Sequence, residues 1–143
     1  MYVSEVLKRK GSRVEKARPD MPVGDAIQAL RSKGIGALVV CDLKAKVIGI
    51  LSERDIVLAL AEYGAAALTM PVRELMTEAV VSCSPEDDIK HAMELMTVRR
   101  FRHLPVMVEG DLVGIVSIGD VVKARLDEQA LEVNVLRDYA RSH

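Results

Sequence analysis

The spacing of apolar residues changes along this chain, and each spacing predicts one kind of element. In the first half, apolar side chains recur at steps of three and four, which indicates one buried helix face. They are Val23, Ala26, Ile27 and Leu30. Two short apolar runs follow, at residues 37–41 and 47–51, and the turn between them favours a pair of strands. A second helical period begins after Ser52.

The same order of elements recurs in the second half. A helical period is followed by two apolar runs, and another helical period begins after Ser117. The predicted ranges are 89–96 for the helix and 104–108 and 112–116 for the strands. Each half also opens with a short helix or turn and a short strand. These lie at residues 3–7 and 13–17 in the first half, and at 72–76 and 80–83 in the second.

The two halves share a motif as well as an element order. Residues 49–55 (GILSERD) recur as residues 114–120 (GIVSIGD), with Gly, Ser and Asp at matching positions. A duplicated unit of this size rarely buries its apolar face alone, so the copies are expected to pack together. We predict an α/β (α+β) fold of two β-α-β-β-α repeats with pseudo-twofold symmetry and a ligand cleft at their junction. The predicted boundaries are 1–69 and 70–127 for the repeats and 128–143 for a C-terminal helical extension.

Composition narrows the class of protein. Half of the 143 residues are hydrophobic, which is enough for a core, and the net charge is −1. So small a charge favours neither nucleic acid nor an anionic membrane as a partner. No apolar run reaches the roughly 18 residues of a membrane span. We therefore expect a cytoplasmic protein that does not enter a membrane.

The cysteines and histidines offer neither a metal site nor a catalytic set. Cys41 and Cys83 are too few for a disulfide framework and have no partner at metal-ligand spacing. We interpret both as buried small hydrophobes in a reducing compartment. No nucleophile, base and orienting group can be assembled from the three histidines and two cysteines. We predict that the chain is not an enzyme and binds no metal.

The paired motifs resemble those of the cystathionine-β-synthase (CBS) domain family, and the two copies together resemble a tandem CBS pair, or Bateman module. The resemblance covers about residues 3–127 and includes the apolar strand 104–106 (LPV). The similarity is greatest to small stand-alone CBS pairs. It implies a regulatory, signal-transducing module that binds an adenosine derivative in the cleft between repeats. AMP, ADP, ATP and NAD(H) are the ligands it implies, in energy or redox sensing of an unidentified partner protein.

The motif residues suit a ribose. One ionised carboxylate can accept hydrogen bonds from both hydroxyls of a vicinal diol, and Asp55 and Asp120 occupy that motif position. Ser52 and Ser117 stand three residues earlier, where each is a natural helix cap and can meet ribose or phosphate oxygens. Arg54 is a further candidate contact, since its counterpart in the second repeat is a glycine.

The purine and the phosphate need other groups. Apolar residues of the short strands, Val81 and Pro105 among them, are predicted to form a flat slot for the base. Cations precede the second repeat's central strand, and if the strand began that early, alternation would place Arg100 and Arg102 on one face.

The resemblance pairs these cations with one of the two carboxylates. It implies that Arg100, Arg102 and His103 meet the phosphate of a ligand whose ribose meets Ser52 and Asp55. The opposite cleft, with Ser117 and Asp120, keeps the ribose residues but lacks comparable cations. AMP fits this single compact phosphate clamp best.

Purely structural roles compete with each of these assignments. The aspartates are also explained as first-turn helix acids, the serines as caps alone, the cations as a solvated face, and His103 as a core histidine. Two other functions compete as well. One is a nucleic-acid binder that uses the arginines beside Phe101, and the other is an interaction protein without a ligand.

The end of the chain predicts self-association. Residues 124–139 continue as a polar-rich helix with Leu126, Ala130, Val133 and Leu136 on one side. Such a helix is marginal alone in water, so it needs a surface to pack against. Its own repeats offer one such surface and a second subunit offers another. We favour a homodimer, which the family resemblance also implies.

Overall fold

A computed structural model describes residues 1–142 and has mixed α/β architecture, as predicted. The helices are α1 (Val3–Lys10), α2 (Val23–Lys33), α3 (Glu53–Tyr63), α4 (Val72–Leu75), α5 (Ile89–Arg99) and α6 (Ile118–Ser142). The strands are β1 (Lys16–Ala17), β2 (Ala37–Cys41), β3 (Val47–Ser52), β4 (His103–Val108) and β5 (Asp111–Ser117). A 3-10 helix, Gly64–Thr69, follows α3. The four main strands lie within one residue of their predicted ends.

The chain divides into two compact units, each named here by its motif aspartate. The Asp55 unit contains residues 14–81 and 110–112, and the Asp120 unit contains residues 1–13, 82–109 and the described chain from Val113 onward. These units differ from the predicted sequence repeats, because α1 packs with elements of the second repeat and α4 with elements of the first. The repeat boundaries at residues 69 and 127 remain a prediction.

The Asp55 unit is built on a three-stranded sheet in the order β1-β2-β3. β1 runs parallel to β2, and β2 pairs antiparallel with β3 in a register that sets Leu38 opposite Leu51. Every residue of β2 is buried, as expected for a central strand that is covered on both faces. α2 ends at Lys33 and is capped by Gly34, whose left-handed conformation, with φ 64°, is typical of a glycine at this position. The core joins this sheet to residues of α2, α3 and α4.

The Asp120 unit pairs β4 with β5, and its core joins these strands to α1, α5 and α6. The strand predicted at residues 80–83 is wrong except at Cys83, which forms a single parallel bridge to Val106. The aligned strands of the first repeat explain the difference, because there the Val39 N–H donates to the Glu15 carbonyl. Pro105 takes the place of Val39 in the second repeat and has no N–H to donate.

The predicted C-terminal helix is continuous with the closing helix of the second repeat. α6 runs unbroken from Ile118 to Ser142 and is buried at Val121 and Ala124. Beyond Glu128 every described residue of α6 is exposed. The last residue of the predicted extension, His143, lies outside the described residues.

Both cysteines are buried, as predicted, and both are free thiols. Burial, together with the nearby Asp87 carboxylate, raises the pKa of Cys83 to about 12. Burial also raises the pKa of Cys41. Neither thiol therefore has the thiolate character of a reactive cysteine. Among residues 1–142, no helix has the length and apolar character needed to cross a membrane.

Each motif begins with a glycine because another segment approaches the strand closely there. A Cβ at Gly49 would lie 2.9 Å from Met76 Cγ and 3.1 Å from the Thr77 carbonyl oxygen. A Cβ at Gly114 would lie 2.7 Å from Leu7 Cδ2. Each approaching segment lies at the start of a repeat. At Gly114 the segment is helix α1, and at Gly49 it is the pair of residues directly after α4. The motif glycine thus admits the leading segment of the other repeat.

We predict that Gly49→Ala lowers the free energy of unfolding by about 1–3 kcal/mol, the usual cost of overpacking. The added methyl meets the Thr77 carbonyl, which is fixed because it accepts a hydrogen bond from the Ile50 N–H. Urea unfolding followed by circular dichroism measures the change. Gly119→Ala is the matched control and should be neutral or slightly stabilising, since beyond its chain neighbours and its own helix backbone the nearest atom to a Cβ there is Ser117 Oγ at 3.6 Å. Equal losses in the two variants would refute the close-approach explanation.

Candidate ligand-binding site

The first motif forms a capping box at the start of α3. Ser52 is the N-cap in extended conformation, and its hydroxyl oxygen accepts a hydrogen bond from the Asp55 N–H at 3.3 Å. The Ser52 N–H donates in return to Asp55 Oδ2 at 2.9 Å. These bonds satisfy amides at the helix start and at its cap and fix the rotamer of the aspartate. The Asp55 carboxylate is thereby held half-buried beside the end of β3.

The remaining donors to Asp55 are hydroxyl groups. Ser52 Oγ donates to Oδ2 at 3.1 Å, and Thr77 Oγ1 donates to Oδ1 at 3.2 Å. A carboxylate has about four acceptor positions, so these bonds and the amide occupy most of them. Hydroxyl donors can rotate away without leaving a charge unpaired. Asp55 can therefore exchange a protein hydroxyl for a ligand hydroxyl at little cost.

The second motif has the same local geometry at the start of α6. The Ser117 N–H donates to Asp120 Oδ2 at 2.8 Å, and the Asp120 N–H donates to Ser117 Oγ at 3.1 Å. Here, however, a cation is the additional donor. Lys10 Nζ lies 2.6 Å from Asp120 Oδ2 and also donates to the Ile115 carbonyl at 2.9 Å. The two motifs thus hold their carboxylates alike and differ in what else binds them.

The ion pair changes the ionisation of Asp120. Partial burial alone would raise the pKa of this carboxyl group, but the hydrogen bond from Lys10 and those from Ser117 outweigh it. The pKa of Asp120 therefore lies below its ordinary value. The carboxylate stays ionised well into the acid range and remains an acceptor.

The cations before β4 do not form the alternating strand that the sequence suggested. β4 begins at His103, which is half-buried, so Arg100 and Arg102 precede the strand and the alternation argument does not apply to them. Arg100 is the C-cap of α5 with φ 58°, a left-handed conformation that Gly34 adopts at the aligned position. Arg102 lies in a bend, and its carbonyl accepts a hydrogen bond from the Ile118 N–H at 2.8 Å. Its backbone therefore lies against the start of α6.

The predicted site residues fall into two groups. The Asp55 unit contains Ser52, Arg54, Asp55 and Val81, and the Asp120 unit contains Arg100, Arg102, His103, Pro105, Ser117 and Asp120. Within each unit the structure brings the motif serine and aspartate into direct contact. Arg54 is exposed in the first turn of α3, Val81 is half-buried outside any strand, and Pro105 is buried in β4.

Sequence reasoning missed Thr77 and Lys10, the additional donors to the two aspartates. Aligning Val3 with Val72 sets Lys10 opposite Ala79, so the repeat gave no signal for the lysine. Thr77 belongs to no recognisable sequence motif either. Both residues belong to the leading segments, the stretches with which the two repeats begin. Each leading segment packs in the compact unit of the other repeat, and no local sequence pattern reveals this exchange.

An open groove of about 550 Å³ in the Asp55 unit is lined by other residues. Its walls include the cations Arg18, Lys44 and Arg73 and the carboxylates Asp20 and Asp42. None of the predicted site residues lines this groove. Among residues 1–142, no group of three or more His, Cys, Asp or Glu side chains is arranged to hold a metal ion.

Comparison with known proteins identifies the class. The CBS domain model matches this chain twice, over residues 3–62 and 72–127, and the chain therefore belongs to the CBS domain family. The resemblance seen in the sequence is thus confirmed, as a pair of CBS domains in one chain.

Particular relatives agree with this membership. The mitochondrial CBS domain-containing protein CBSX3 of Arabidopsis thaliana is 34% identical over 145 residues, covering 96% of this chain and 70% of the relative. The crystal structure of a CBS-domain protein from Agrobacterium tumefaciens superposes with a TM-score of 0.85 at 48% identity, covering 87% of this chain and 92% of that one. CBSX2, crystallised in complex with AMP, superposes with a TM-score of 0.74 at 26% identity, covering 90% of this chain and 98% of that one.

Proposed function

We propose that this CBS pair is a regulatory module that binds an adenosine derivative, with AMP as the best-fitting ligand and ADP, ATP and NAD(H) as further candidates. The observation that carries the proposal is the repeated capping box, which holds a half-buried carboxylate at the start of a helix in both units. The complex of the related CBSX2 with AMP supports the choice of ligand. The module acts on a partner protein by shifting its own conformational equilibrium when the ligand is bound.

Asp55 is proposed as the ribose acceptor. Its donors within the Asp55 unit are neutral, namely the Ser52 N–H, the Ser52 hydroxyl and the Thr77 hydroxyl. Two ribose hydroxyls can take the place of the two protein hydroxyls without separating opposite charges. Val81 and Pro105 are proposed to contact the base, and Ser117 and Asp120 to form the weaker, second ribose site.

Arg100, Arg102 and His103 are proposed to bind the phosphate, with Arg54 as a further contact. The conformation of Arg100 supports this role. A left-handed conformation costs a residue with a side chain about 1–2 kcal/mol, and the aligned residue of the first repeat is the glycine that avoids this cost. Backbone strain of this kind is concentrated at functional sites.

We propose no catalytic role. The motif aspartates are tied into helix caps, and neither buried thiol is activated. A ligand bound by Asp55 would therefore be held and sensed without being converted. A module that binds AMP or ATP would sense the energy state of the cell, and one that binds NAD(H) would sense its redox state.

The first test of this function is direct binding. AMP at 100 times its dissociation constant should raise the free energy of unfolding by about 2.7 kcal/mol, and calorimetry should give a saturable heat. Asp55→Ala should abolish the tighter binding event, because the ribose loses its charged acceptor. Asp25→Ala, an exposed first-turn acid on α2, is the matched control and should leave binding unchanged. The absence of heat and of a melting shift with AMP, ADP, ATP, NAD and NADH would refute the proposal.

A second test separates phosphate contacts from ribose contacts. Arg102→Ala should weaken AMP binding by about 10- to 100-fold, the usual effect of losing a charge-assisted hydrogen bond. Adenosine has no phosphate, so its affinity should stay nearly constant. Isothermal titration of both ligands measures the two changes. A loss of equal size for adenosine would assign Arg102 to the fold instead of the phosphate.

We also propose that the chain forms a homodimer through α6. The exposed part of this helix carries large apolar side chains, which a monomer would leave in contact with water. They include Leu126, Leu131, Val133, Val135, Leu136 and Tyr139.

Light scattering should give a mass of about 31 kDa, twice that of the 15.7 kDa chain. Val133→Glu with Leu136→Glu should convert the dimer into a folded monomer, because both side chains are exposed within one subunit and contribute little to its core. Asn134→Glu on the same helix is the matched control for added charge and should leave the mass unchanged. A wild-type monomer at micromolar concentration would refute the dimer, and a dimer that survives the double substitution would exclude α6 as its interface.

A further inference from the structure

The two motif aspartates differ in the charge of their additional donor. Thr77 offers Asp55 a neutral hydroxyl at 3.2 Å, whereas Lys10 offers Asp120 an ammonium group at 2.6 Å. The two capping bonds that involve backbone amides are the same in both motifs, and Asp55 also accepts a bond from the Ser52 hydroxyl. The lysine is therefore the one charged donor that distinguishes the surroundings of Asp120 from those of Asp55 within their own units.

The position of Lys10 is fixed by more than the ion pair. Its ammonium group also donates to the Ile115 carbonyl at 2.9 Å, which anchors it to β5. Leu7, one turn earlier on α1, packs into the space above Gly114 and brings the helix close to the strand. Arg9 pairs with Asp127 at 3.4 Å and holds the same end of α1 against α6. These contacts along α1 hold the Lys10 ammonium beside Asp120 although its side chain is 31% exposed.

A ribose and Lys10 compete for the same carboxylate. Both donors would bind an ionised carboxylate and so form charge-assisted bonds, but the ammonium adds the attraction of a full opposite charge, which a ribose hydroxyl lacks. A ribose that displaced Lys10 would leave the ammonium with the Ile115 carbonyl as its remaining partner, in a pair whose side chains are 31% and 24% exposed and so only partly shielded from water. Ligand binding at Asp120 therefore carries a cost that binding at Asp55 does not.

We propose that Lys10 is a specificity-determining residue that occupies the ribose position at Asp120 and so weakens adenosine binding at the second motif. This inference rests on the proposed function, because it assumes that the motif aspartates bind ribose. It assigns the inequality of the two motifs to a residue outside both of them, on a helix that comes from the opposite end of the chain. The leading segment of the chain thereby sets how many ligands the module binds.

Adenosine is the probe for this proposal, because it carries a ribose and no charge. The test uses Asp55→Ala as background, so that the second motif is observed by itself. Adding Lys10→Met should tighten adenosine binding by up to about fivefold, the upper end for a partly exposed ion pair, as measured by isothermal titration. A further Asp120→Ala substitution should remove the gain. Lys8→Met in the same background is the matched control, since it removes an exposed lysine from the same helix and should change nothing.

The possible outcomes separate this inference from the proposed function. If the wild type binds AMP through Asp55 but Lys10→Met leaves adenosine binding at the second motif unchanged, the inference is wrong and the proposed function stands. Weaker adenosine binding in the Lys10→Met variant would also overturn it, since Lys10 would then contact the ligand. If no variant binds AMP or adenosine, both proposals fall together. A thermal melt of each variant confirms that it is folded.

Discussion

The capping bond between a motif serine and the aspartate three residues later is the interaction on which the candidate site depends. The serine N–H would otherwise lack a partner at the point where the strand ends, and the aspartate satisfies it. The same bond turns the carboxylate back over the end of the strand and keeps it half-buried. One local interaction thus stabilises the helix start and prepares an oriented acceptor. A purely structural role and a ligand-binding role for these residues are therefore compatible.

The glycine at the beginning of each motif gives this acceptor its surroundings. Because Gly49 and Gly114 have no side chain, Met76 and Leu7 can approach the strands, and the residues near them reach the carboxylates. Thr77 directly follows Met76, and Lys10 lies one turn beyond Leu7. A duplicated motif therefore does not give the two carboxylates the same surroundings, since the additional donor to each comes from a segment that has diverged.

How far the sequence predicts this structure depends on the range of each interaction. Helix periods, the Gly34 cap and the buried runs of β2 and β4 are local features, and all were predictable. The strand before Cys83 was predicted wrongly because its partner strand carries Pro105, which has no N–H to donate to it. Pro105 lies more than twenty residues further along the chain, so the local pattern gave no sign of this. β4 was predicted from residue 104 and begins at His103, but the sequence left open an extension back to the arginines, because the left-handed cap at Arg100 is unusual for an arginine. Lys10 and Thr77 could not be predicted, since their roles depend on contacts between segments far apart in sequence.

The exchange of leading segments also orders events during synthesis. Most of the Asp55 unit is one continuous stretch, residues 14–81, and its contacts can form as soon as that stretch is available. α1 is synthesised before this stretch but packs against α6, which is synthesised after it, so the loop to be closed contains the whole stretch. Domains usually fold in the order of their synthesis, but α1 can pack only once α6 is available. Pulse-labelled hydrogen exchange during refolding would register this as late protection of α1, after β2 and β3 are already protected.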